Sequence, residues 1–199
     1  MPGIKISGIT NEEDAKWAAI LGVEYISVSM EEESDKKVSL GRAIEIRDML
    51  PSYTGFIAEF GDINRISMRE VNKLKPGYIQ LKNGEASLQD EVPGKFEVMA
   101  CPVIYETQGI DDSICNSPYV RFIQITLPEG TGPEQLLSLK KKYNMERVMI
   151  EGDWELADIK KACEIIQPAA WSIRRIIEKS PRKIDYEKMK EYIREISLW

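Results

Sequence analysis

Histidine is absent from the 199 residues of this chain. That absence removes Ser-His and Cys-His nucleophilic catalysis, histidine metal sites and histidine pH switches, so any acid or base must be Asp, Glu, Lys, Tyr or Cys. Cysteine is scarce: Cys101, Cys115 and Cys163 are an odd number at wide spacing, which forms neither a disulfide framework nor a zinc ligand set and reads as buried or surface thiols. No uncharged apolar run reaches the roughly 18 residues a membrane span requires. Excess positive charge is lacking too, and a net charge of −6 argues against general nucleic-acid binding, although local basic clusters stay open. Neither a glycine-rich dinucleotide loop nor a Walker A sequence is present. The expected partner is therefore a small molecule, with no nucleic acid, membrane, metal or cofactor called for. The opening Met1-Pro2-Gly3-Ile4-Lys5-Ile6 enters a strand-like pattern without the segments of an export signal, so a cytoplasmic location is expected.

What is present suits one substantial core. Hydrophobic residues at 43% and charged residues at 30% exclude a disordered chain. No linker, low-complexity tract or short repeat divides the sequence, and residues 1–199 are expected to form a single domain. Strand and helix patterns alternate from the start. Ile4–Ser7 is strand-like, and Thr10-Asn11-Glu12-Glu13 caps a helix with Ala15, Ala18, Ala19 and Leu21 as its apolar positions. Tyr25–Ser29 is a second strand, followed by a helix capped at Ser39, a strand over Thr54–Ala58, a helix over Ile63–Leu74 and a strand over Tyr78–Leu81. The fourth helix is short and the fifth irregular, flanking strands near Phe96–Ile104 and Val120–Ile125. A helix over Pro133–Lys142, a strand over Arg147–Ile150, a helix over Glu155–Ile166, a strand over Ala169–Ile173 and a helix over Asp185–Ile196 complete the order. Eight such units imply a parallel sheet with right-handed crossovers, and favour closure into an α/β (β/α)8 TIM barrel over an open doubly wound sheet.

Lys5-Ile6-Ser7-Gly8-Ile9-Thr10 resembles the K-I-C-G-I-T opening of the phosphoribosylanthranilate isomerases, barrel enzymes of tryptophan biosynthesis. Later segments agree in order. Ser34 to Ser39 resembles that family's S-x-R-Y-I-S, Ile79 to Glu85 its V-Q-L-H-G-x-E, Gly130-Thr131-Gly132 the end of its G-G-T-G, and Ile177 to Asp185 its V-E-x-x-P-G-x-K-D. The resemblance implies an intramolecular oxidoreductase performing an Amadori rearrangement, with a phosphorylated ligand and no cofactor.

The departures fall on the chemistry. The resemblance places the general base at Ser7, where the family has cysteine, and the general acid at Thr126, where it has aspartate. An unassisted serine hydroxyl is a very poor base near neutral pH. The phosphate-binding glycine pair becomes Glu151-Gly152-Asp153, and the second phosphate turn becomes Arg174-Arg175-Ile176; carboxylates repel phosphate there, whereas arginines bind it through paired hydrogen bonds. The anthranilate-binding arginine corresponds to Lys36. Candidate ligand-binding residues are thus Lys36, Gln80, Gly130, Gly132, Gly152, Arg174 and Arg175.

Each has a plainer account. Ser7 fits the mouth by being small, Arg174 or Arg175 pairs with Glu151 or Asp153, Lys36 and Lys37 are expected as solvated surface charge, and Trp154 and Trp171 as buried packing. The carboxylates Glu59, Asp62, Asp111, Asp112, Glu151 and Asp153 follow strands, where barrel enzymes place catalytic groups. Three readings stay open: a divergent barrel with weak or absent isomerase activity and an anionic-ligand pocket; a working isomerase with substitute carboxylates; and a non-catalytic interaction protein, with a homodimer among its forms.

Overall fold

A computed structural model of the chain describes residues 1–61, 66–81, 99–105 and 120–199. The strands are β1 (Gly3–Ile6), β2 (Tyr25–Ser29), β3 (Gly55–Phe60), β4 (Tyr78–Leu81), β5 (Met99–Tyr105), β6 (Ile123–Thr126), β7 (Val148–Glu151) and β8 (Ala170–Ile173). Each pairs in parallel with its sequence neighbour, and β8 pairs with β1 through Gly3↔Ala170 to Ile6↔Ile173, closing an eight-stranded barrel. The order expected from the sequence is therefore observed, and with it the (β/α)8 fold.

Helices α1 (Glu12–Ile20), α2 (Leu40–Met49), α3 (Met68–Leu74), α4 (Leu136–Lys142), α5 (Leu156–Ile165) and α6 (Tyr186–Ile196) surround the strands. Their starts follow the capping residues: the side chains of Asn11, Ser39, Ser67 and Asp185 accept hydrogen bonds from first-turn amides. Ser67 shortens α3, which begins at Met68 rather than in the early sixties, because Ile66 and Ser67 are not helical. The helix expected from Pro133 opens as a 3-10 turn, Pro133–Gln135, before α4. The short fourth and irregular fifth helices fall in 82–98 and 106–119, outside the described residues. No helix among the described residues is long and apolar enough to cross a membrane.

Strand residues alternate between the two sides of the barrel wall. Ile4, Ile6, Ile26, Val28, Phe56, Ile79, Ile123, Ile125, Ile150, Trp171 and Ile173 join the core formed with the surrounding helices. The other set turns inward, which is fixed by hydrogen bonds that cross the lumen: the Lys5 ammonium on β1 donates to Gln80 Oε1 on β4 at 2.5 Å and to Gln124 Oε1 on β6 at 2.7 Å. The lumen is apolar near the strand starts, where Ile57, Phe122, Met149 and Ala170 cluster with Tyr25 and Tyr78. Toward the strand ends it becomes polar, with Ser27, Glu59, Gln80, Gln124, Glu151 and Ser172 all buried. A barrel filled this way has a sealed base and a polar mouth.

Two short strands beyond β8 were not anticipated from the sequence. β9 (Glu178–Ser180) and β10 (Lys183–Ile184) pair antiparallel, and Arg182 between them takes a left-handed φ of 66°. The Arg182 guanidinium donates to the carbonyls of Asp35 and Lys37 at 3.0 and 3.1 Å, pinning the loop after β2. Asp14 ties α1 to the same region by accepting from the Tyr186 hydroxyl at 3.0 Å.

Candidate functional site

The polar mouth opens into a cavity of about 540 Å³ at the C-terminal ends of the strands. Gln80, Gln124 and Thr126 line it from β4 and β6; Glu59 lines it from β3; Glu151, Gly152 and Asp153 from the end of β7; Arg174 and Arg175 from the end of β8; Glu33, Ser34 and Asp35 from the loop after β2. Five of the expected site residues are therefore brought to one cavity: Gln80, Thr126, Gly152, Arg174 and Arg175. Both arginines reach it because β8 stops at Ile173 and a 3-10 turn follows, so the strand alternation that would have sent them to opposite sides has ended.

Beneath the cavity lies a charged floor. Lys5, with no exposed surface, lies 3.6 Å from Glu59 Oε1, and Glu59, 3% exposed, also accepts a hydrogen bond from the Ser27 hydroxyl. A buried ammonium persists only when its protons are matched, and here Glu59 and the two glutamine oxygens match them.

Ser7 sits beside this floor, buried, one residue beyond β1. Its hydroxyl is 2.8 Å from that of Ser172, which donates at 2.8 Å to Glu151 Oε2. Ser7, Ser172 and Glu151 thus form a continuous hydrogen-bonded line to the cavity wall. Thr126 pairs in register with Glu151 across β6 and β7. Next to Ser7, Gly8 has a φ of +71°, a backbone conformation that strains any other residue, and a Cβ there would also press on Lys36 Cδ at 3.0 Å.

Lys36 corrects the expectation of a solvated side chain: it is 4% exposed and its ammonium is ion-paired with Glu178. The pinned loop holds it inward. Burial, reinforced by Arg174 and Arg175, pushes the Lys36 ammonium down to about 8 from 10.5, against the opposing pull of Asp35 and Glu59. The folded state holds this proton less tightly than the unfolded chain, so the group opposes folding fully below about pH 8 and the penalty fades as pH rises toward 10.5. A nitrogen-detected NMR titration of Lys36 is expected to give a midpoint near 8; a midpoint near the ordinary 10.5 would contradict the burial account. Lys37 matches the expectation better, half-buried and paired with Glu32.

Gly130 and Gly132 lie in the loop after β6 and are not among the residues lining the cavity. Gly130 supplies a φ of +82° to that turn. Trp154 and Trp171 pack edge to face at 5.3 Å as buried residues, with the Trp154 indole donating to the Thr131 carbonyl at 2.8 Å. Cys163 is a buried thiol pushed up to about 12 mainly by burial. Among the proposed loop carboxylates, Glu59, Glu151 and Asp153 line the cavity, whereas Asp62, Asp111 and Asp112 lie outside the described residues. Sequence reasoning missed Ser172, Gln124 and the Lys36–Glu178 pair, since cross-barrel partners far apart in sequence leave no local pattern.

No protein-family model matches the chain. It is 49% identical to the N-(5'-phosphoribosyl)anthranilate isomerase of Chlamydia caviae over 45 residues, 23% of this chain and 22% of that protein. With the enzyme of the same name from Azotobacter vinelandii it shares 26% identity over 200 residues, 96% of each chain. Among solved structures, a phosphoribosylanthranilate isomerase in complex with reduced 1-(o-carboxyphenylamino)-1-deoxyribulose 5-phosphate superposes with a TM-score of 0.81 over 100% of both chains, at 18% identity. The chain thus has the fold of the phosphoribosylanthranilate isomerases, and its sequence is similar to theirs along almost its whole length.

Proposed function

We propose that this barrel binds a small phosphorylated or anionic ligand at its mouth, and that the isomerisation performed by its relatives is weak or absent in it. The observation that carries this reading is that Arg174 and Arg175 line the cavity where the resemblance places phosphate, while the acid position, also in the lining, holds Thr126 and the base position holds the buried Ser7. Arginine forks suit phosphate oxygens, and two hydroxyls without a neighbouring imidazole do not take protons near neutral pH. Lys36, at the position matched to the anthranilate-binding arginine, spends its charge on Glu178. The same reading takes the protein to be a single domain acting in the cytoplasm. Expression in a tryptophan auxotroph lacking the isomerase tests it: no growth without tryptophan is expected, and robust growth would refute the loss of activity.

One observation favours a working isomerase as a second reading. The hydrogen-bonded line from Ser7 through Ser172 to Glu151 would let a carboxylate act as base through two hydroxyls, each passing on one proton as it receives another. Under that reading Glu151→Gln abolishes turnover, and turnover that survives the substitution excludes it.

A further inference from the structure

Charge is distributed unevenly around the mouth. Among the described residues, five carboxylates line the cavity, Glu33 and Asp35 from the β2 loop, Glu59 from β3, and Glu151 and Asp153 from the end of β7, against the two guanidinium groups of Arg174 and Arg175; with Glu59 matched by Lys5, four remain. The two lysines nearby do not redress the balance for a ligand. Lys5 is fully buried beneath the cavity and held by Gln80, Gln124 and Glu59, and Lys36 is buried against Glu178. Among the described residues, the cationic donors lining the cavity are therefore those after β8, and a group extending from them across the mouth meets carboxylates and amide groups.

Resting on the anionic-ligand reading above, we infer that the ligand of this cavity carries one anionic group, held by Arg174 and Arg175, and at its other end a protonated amine, so that a second acidic group is selected against. An ammonium at that end is attracted to Glu151, 8% exposed, and to Asp35 and Asp153 at the rim, and a carboxylate is repelled by them; the low-dielectric wall of the cavity strengthens both effects at Glu151. The neutral lining groups Gln80, Gln124 and Thr126 serve hydroxyls between the two ends. The relevant class is an amino-sugar phosphate or another compact amine bearing a phosphate. Discrimination comes as much from the repulsive element as from the attractive one.

Isothermal titration calorimetry of the whole chain near pH 7 with three probes tests this: glucosamine 6-phosphate, glucose 6-phosphate and 6-phosphogluconate share a phosphate and differ by an amine, a hydroxyl or a carboxylate. Glucosamine 6-phosphate is expected to bind at least tenfold tighter than glucose 6-phosphate, and 6-phosphogluconate weakest. The exposed pair Asp35→Asn and Asp153→Asn, combined in one variant, is expected to shrink the amine preference severalfold and leave glucose 6-phosphate binding equal or stronger. Equal affinity for the three probes, or a preference for 6-phosphogluconate, would overturn the amine selectivity while leaving the anion site standing. Binding of none of them would overturn both.

Discussion

Replacing Lys5 by Met is expected to lower the folding stability of this barrel by about 3–5 kcal/mol, the cost of leaving one member of a buried ion pair without its partner. The side chain volume is nearly kept, so the loss is electrostatic. Glu59, 3% exposed, would keep the hydrogen bond from the Ser27 hydroxyl but lose the ammonium, and the oxygens of Gln80 and Gln124 would lose the ammonium they share. Urea unfolding followed by tryptophan fluorescence measures the change. Adding Glu59→Gln to Lys5→Met is expected to recover part of the loss, because removing both charges leaves no buried ion. A single variant within about 1 kcal/mol of the parent would mean that water reaches Glu59 in the lumen.

The second large effect concerns binding. Arg174→Ala with Arg175→Ala is expected to weaken glucose 6-phosphate by about a hundredfold, since each charge-assisted hydrogen bond to phosphate contributes about 1.5–3 kcal/mol and the two arginines share one anion. Arg175 is exposed and Arg174 half-buried, so the unliganded variant should stay within about 1–2 kcal/mol of the parent by urea unfolding. Binding that survives the double substitution would place the anion elsewhere on the mouth, near Gly152 alone.

The fold was legible because its signals are local. Gly and Pro breaks, capping residues such as Ser39 and Asp185, and runs of four to six strand residues put the described strands within a few residues of their observed positions. Closure was inferable from the count of units and is confirmed by β8 pairing with β1. The site was legible only in part. Strand-end position alone marked Glu59, Glu151 and Asp153, and resemblance marked Gln80, Thr126, Gly152 and the two arginines, all of which reach the cavity.

Lys36 was misjudged because its neighbours in sequence, Glu31 to Asp35, are acidic and mostly exposed, whereas its burial depends on Arg182 and Glu178 some 140 residues away. Ser172 was invisible for the same reason: a lone serine in Ala170–Ile173 gives no hint that it bridges Ser7 and Glu151. The polar lumen was present in the sequence as alternation, with Lys5 between Ile4 and Ile6 and Gln124 between Ile123 and Ile125. Its meaning needed the closed barrel, since only closure turns one face of eight strands toward a shared interior.

The two proposals bear on each other. If the mouth rejects a second acidic group, introducing the family's reacting groups through Ser7→Cys with Thr126→Asp should not give turnover of phosphoribosylanthranilate, whose anthranilate carboxylate would face Glu151 and Asp153. Regained turnover in that variant would show instead that the relatives' substrate still fits and that only the reacting groups were lost.

The most direct measurement is steady-state turnover of phosphoribosylanthranilate by the purified, unmodified chain, followed by the loss of anthranilate fluorescence as the Amadori product forms. Conversion indistinguishable from the uncatalysed rate is the predicted result. Saturable turnover in the ordinary enzyme range, about 1 per second or faster, would contradict the claim that Ser7 and Thr126 have cost this barrel the chemistry of its relatives.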